Sequence, residues 1–212
     1  VFFDDKLIKL NHSQEEVNSI GNLLSGDVYK DSVLKNVFFN SSKEAKIIHL
    51  ATHANANKNP WVAFSDNKLN LHELYTYKNN ADLVVISACN TSIGKIEKGE
   101  GAFSLARGFF YSGAKSVISS LWNVNDKSTS FIMTQFYKNI KSGQKKSEAL
   151  TNAKREYLKT HSLASASPYY WASFVLIGNS DTIELSNSNL IYYLFLIIFI
   201  LSIIILIKFQ KK

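Results

Sequence analysis

Two short apolar runs, each closing on a side chain that can do chemistry, constrain this chain more than any other feature. The first, residues 46–51, reads Lys46-Ile47-Ile48-His49-Leu50-Ala51 and leads through Thr52 to His53. The second, residues 82–88, reads Asp82-Leu83-Val84-Val85-Ile86-Ser87-Ala88 and leads to Cys89, Asn90 and Thr91. Runs of this length, rich in β-branched residues and bounded by polar turns, read as buried strands. In an α/β sheet, ligands gather outside the carboxyl ends of the strands. Strands that end in His53 and Cys89 can therefore deliver a base and a thiol to one crevice, as nucleophilic catalysis requires.

The rest of the pattern fits a parallel arrangement. A helix is predicted over 13–25, with Ser13 as cap and Glu16 at the capping-box position. Val17, Ile20 and Leu24 form its apolar face, and Gly26 stops it. Further helical segments are predicted at 32–39, 71–77, 101–112, 129–140 and 148–158. Phe103, Ala106, Phe109 and Phe110 supply the helical spacing of the third, which Gly113 ends. Strands are predicted at 61–64, 114–121 and 171–177. Strands alternating with helices of this length imply βαβ units and a mostly parallel sheet. No internal repeat is present.

Residues 190–207 read LIYYLFLIIFILSIIILI without a charge. As a helix this run would be about 27 Å long, near the thickness of a bilayer core. The sequence thus predicts a single transmembrane helix over 190–207, a juxtamembrane linker over 179–189 and a basic tail over 208–212. Lys208, Lys211 and Lys212 follow the run, whereas 180–189 holds Asp181 and Glu184 and no cation. The positive-inside rule then puts the tail in the cytoplasm and the preceding domain outside it; a tail-anchored arrangement would invert this. The net charge is +7; without the three tail lysines, 21 basic residues face 17 acidic ones. That excess is too mild and dispersed for a nucleic-acid partner. A single Cys permits no internal disulfide.

The blocks that carry the chemistry also carry a likeness. Ile48-His49-Leu50-Ala51-Thr52-His53, Leu83 to Thr91 and Gly99-Glu100-Gly101 resemble the CHAT domains. The likeness continues in Ala106-Arg107-Gly108-Phe109-Phe110-Tyr111-Ser112-Gly113-Ala114 and Ser120-Leu121-Trp122-Asn123-Val124-Asn125-Asp126. It closes with Pro168-Tyr169-Tyr170-Trp171-Ala172-Ser173-Phe174 and Ile177-Gly178. These are caspase-like relatives of cysteine peptidases, often joined to tetratricopeptide repeats. The resemblance implies a caspase-like three-layer α/β sandwich around a mostly parallel central sheet, over residues 1–178. It also implies a first strand and repeats upstream that contact this domain. By resemblance the catalytic dyad is His53 and Cys89, and the oxyanion donors are the backbone N–H groups of Ala54 and Cys89. The family usually has Gly where Ala54 stands.

Each candidate has a plainer reading. A lone cysteine is often an inert core thiol, but Cys89 follows its strand and is succeeded by polar residues. His49 and His53 form His-x-x-x-His, which on a helix would suggest zinc. On a strand, four residues span about 13 Å, too far to share one metal. His49 therefore reads as a structural residue within the strand, and His53 as the mobile one in the polar loop beyond it. Asp126 reads either as a helix N-cap or as a pocket acid for a basic P1 side chain. Glu100 reads as a loop support, and Trp122 as core or pocket wall. No metal or cofactor is called for. The expected function is a membrane-anchored, bacterial-type caspase-like cysteine protease acting on protein substrates under the control of upstream repeats. The alternative is a catalytically weak or inactive CHAT domain that serves as an interaction and signalling module at the membrane.

Overall fold

The computed structural model describes residues 7, 10–55, 59–87, 104–122, 125–185 and 195. Strands β1 (Ile47–Leu50), β5 (Leu83–Ile86), β6 (Ser116–Ser120) and β7 (Phe174–Gly178) form one sheet in the order β1-β5-β6-β7. β1, β5 and β6 run parallel, and β7 is antiparallel to β6. Three further strands, β2 (Ala54–Asn55), β3 (Trp61–Ala63) and β4 (Lys68–Asn70), make a small antiparallel sheet.

β5 is buried along its whole length, and its alternating side chains divide the core. Val84 and Ile86 point to one face, where helices α2 (Lys35–Ser41), α3 (Leu71–Thr76) and α4 (Ser104–Tyr111) supply Phe38, Leu74, Leu105 and Phe109. Val62 and Leu69 of the small sheet join that cluster. Leu83 and Val85 point to the other face. There α1 (Ser13–Leu24), α5 (Asp126–Lys141) and α6 (Lys146–Thr160) contribute Ile20, Ile132, Phe136, Ala149 and Tyr157. The result is a three-layer α/β arrangement with a mostly parallel central sheet, which fits the caspase-like expectation.

Gly113 shows why one turn is fixed. It follows α4 with φ 115°, in the left-handed region, and an added Cβ would collide with the carbonyl of Asn79. Only glycine avoids both penalties.

The transmembrane helix predicted over 190–207 is corrected here. Among the described residues no helix is long and apolar enough to cross a membrane. Apart from Phe195, the run lies outside those residues. Hydropathy measures the length of an apolar run, whereas a span also needs one unbroken helix of about 20 residues. The single-pass placement, and the extracytoplasmic or tail-anchored location drawn from it, lose their support. The segment just after β7 stays on the domain: the Lys46 Nζ donates to Glu184 O at 2.8 Å, and Ile183 is buried.

Other differences are local. α1 begins at Ser13 with His12 as N-cap, and Glu16 is buried rather than closing a capping box. α5 begins three residues earlier than periodicity predicts, because Asn125 caps it through Ser128 N–H. The predicted strand at 171–177 starts at Phe174, since Pro168–Trp171 forms a short helix, α7.

Candidate active site

The register of β1 and β5 defines the candidate site. Leu50 lies opposite Ile86, and Ser87 N–H donates to Leu50 O at 3.1 Å. His53 is three residues past Leu50, and Cys89 is three residues past Ile86. Neighbouring strands are about 4.8 Å apart, so both chain paths leave one end of the sheet side by side. Cys89 and Glu100 themselves lie outside the described residues.

His53 is anchored rather than set in a loose loop. Its carbonyl accepts from Ala63 N–H at 2.8 Å, and Thr52 Oγ1 donates to Ala63 O at 3.1 Å. The cause is the β2–β3 ribbon, in which Ala54 pairs with Val62. The bonded His53–Ala63 pair makes Ala54–Val62 a non-hydrogen-bonded pair. The N–H of Ala54 therefore points away from β3. Among the described residues the non-glycine positions with positive φ are Ser25 and Asp31, and Ala54 is not one of them. Alanine therefore meets no left-handed backbone strain at this position.

Asp126 is the first residue of α5, so the cap role belongs to Asn125. Asp126 Oδ2 accepts the backbone N–H of His12 at 2.7 Å. Trp122 lies just past β6 and donates from Nε1 to Tyr169 O at 3.0 Å.

Behind the strand ends lies a polar node that periodicity does not reveal. His49 Nε2 is 2.8 Å from Glu16 Oε1 and 3.4 Å from Ser87 Oγ, and Nδ1 is 3.1 Å from the Tyr137 hydroxyl. The side chains of His49 and Glu16 are 8% and 1% exposed. Burial, with the Glu16 carboxylate as a second cause, pushes the Tyr137 hydroxyl well above its usual pKa. The signal in the sequence is Glu16 itself, one turn before Ile20 on the apolar face of α1. A charge there implies a buried partner.

A cavity of about 930 Å³ runs along the outer edge of β1, lined by Ile47, His49 and Ala51 among others. Its lining reaches Leu50, Ala51 and Thr52 at the carboxyl end of the strand. Among the described residues no group of His, Cys, Asp and Glu could hold a metal ion.

The family model for the CHAT domain matches residues 6–179. The chain belongs to the CHAT domain family. CHAT domains are caspase-like and often associated with tetratricopeptide repeats. The chain is also similar to tetratricopeptide repeat protein 28 from Homo sapiens, 36% identical over 109 residues, which cover 51% of this chain and 4% of that protein. The protein of the same name from Mus musculus is 32% identical over 119 residues, covering 56% of this chain and 5% of that protein. The chain therefore spans only a small part of the length of these relatives.

Proposed function

We propose that this CHAT domain is a caspase-like cysteine endopeptidase in which His53 activates Cys89. What supports the reading is the β1–β5 register taken with the sequence: Leu50 pairs with Ile86, and His53 and Cys89 each follow three positions later in the chain. The Cys89 thiol passes its proton to the His53 imidazole, and the sulfur attacks the peptide carbonyl carbon. The tetrahedral oxyanion takes hydrogen bonds from the N–H groups of Ala54 and Cys89. The leaving amine collects the proton from the imidazolium as the C–N bond breaks. Water then hydrolyses the thioester, with His53 as base, and frees the acid. Protein is the substrate class. The association of CHAT domains with repeats supports control through contact with repeats in the same polypeptide.

A peptidyl acyloxymethyl ketone tests this reading on the full-length protein. Mass spectrometry is expected to find the adduct on Cys89, with labelling of folded His53→Ala reduced about 10²–10⁴-fold, the range for a lost general base. Equal labelling of both proteins would reject the dyad.

A further inference from the structure

Glu16, His49, Tyr137 and Ser87 come from four elements, and the proposed chemistry uses none of them. We propose that this buried node is a positioning device that fixes the carboxyl ends of β1 and β5, and through them the approach of His53 to Cys89. The inference rests on the His–Cys reading and deepens it.

The node sits at the base of both arms. His49 lies four residues before His53, and Ser87 lies two before Cys89. In the sheet His49 stands opposite Val85, so its main chain belongs to the β1–β5 seam. Its side chain is gripped from outside the sheet, by Glu16 of α1 and Tyr137 of α5. One tautomer satisfies the whole row. Tyr137 donates its O–H to Nδ1, and Nε2–H donates to the Glu16 carboxylate. That proton placement is assigned from the network. With both ring nitrogens engaged, the imidazole cannot rotate without losing a bond, and β1 cannot shift without moving the ring.

A carboxylate as deeply buried as Glu16 is costly unless it is hydrogen-bonded. Glu16 and His49 therefore hold each other: neither can leave the node without stranding the other. Among the described residues the ion-capable groups in contact are Glu16 from α1, His49 from β1 and Tyr137 from α5. The node is not a second catalytic triad. Ser87 and Glu16 both face Nε2, whereas a triad sets nucleophile and carboxylate on opposite ring nitrogens. Ser87 Oγ, at 3.4 Å, is also at the outer limit of a hydrogen bond.

Cys89 is the only cysteine in these 212 residues, and its alkylation by iodoacetamide is followed on the Cys89 peptide by mass spectrometry. Rates are measured against pH in full-length protein, each variant below its own unfolding temperature. Glu16→Leu and His49→Leu are expected to move the midpoint up toward the free-thiol value of about 8.5 and to slow alkylation at pH 7 about tenfold. Glu16→Gln keeps the acceptor and should stay within about twofold of wild type. Tyr137→Phe keeps the ring and its packing but leaves Nδ1 unheld, and should shift the profile in the same direction by a smaller amount. A merely structural node would lower unfolding temperatures and leave every folded profile at the wild-type position; that result overturns the proposal. If the leucine variants do not fold, Tyr137→Phe decides, and an unshifted profile rejects the inference. His53→Ala separates the two claims. If it leaves the profile unchanged, the His–Cys reading fails. If it raises the midpoint while the Glu16, His49 and Tyr137 variants do not, positioning alone fails.

Discussion

Asp126 carries two demands on one carboxylate. One oxygen accepts the His12 amide, which ties the entrance of α1 to the start of α5. A cationic side chain is the strongest partner a carboxylate can take. If Asp126 is the pocket acid proposed from the sequence, P1 is Arg or Lys, and Asp126→Asn, which retains the amide contact, should reduce that preference about tenfold in kcat/KM, the scale of a lost charged hydrogen bond. Profiling wild type and variant on a peptide library checks this; an apolar P1 preference common to both would reject it. At this scale the sequence was informative about type and poor about partnership. His53 and Cys89 stand out as candidates from their places after strand runs. Glu16 could not be placed, because its spacing from Ser13 satisfies a capping box and its true partner, His49, is 33 residues away.

Among the elements, α3 shows how a short helix is held. Asn70 and Glu73 form a reciprocal capping box, and Glu73 also meets Lys35 at 2.7 Å. Burial tends to push the Glu73 carboxyl up, but the Asn70 amide and Lys35 outweigh it and hold it below its usual pKa. The native state then binds this proton less readily than the unfolded chain does. The stabilisation is complete above the unfolded value of about 4.3 and is lost as pH falls through the lower native value. Unfolding temperature against pH should therefore show a shallower acid decline in Glu73→Gln than in wild type. Identical declines would remove Glu73 from the account. β5 was legible because burial on both faces leaves a continuous apolar run, LVVI; β1 (IIHL) and β6 (SVISS) were legible from their β-branched pairs and the polar turns that bound them. β2 and β4 were not: two or three residues carry no period, and their pairing with β3 depends on contacts outside the local sequence.

The whole molecule is a sheet with a separate core on each face, and the strand ends that carry the candidate site are fixed by both. The fold class was legible because strands and helices alternate, and the antiparallel β7 was not, because direction leaves no trace in a five-residue run. The apolar stretch at 190–207 misled for a related reason, since composition alone does not establish a spanning helix. The central claim is that Cys89 is the nucleophile of a peptidase. It is tested most directly by exposing a denatured, proteome-derived peptide library to the activated full-length protein and counting new N-termini by mass spectrometry. Wild type should generate a defined set of cleavages that folded Cys89→Ala does not generate at all. The same cleavages at an undiminished rate from Cys89→Ala would contradict the account.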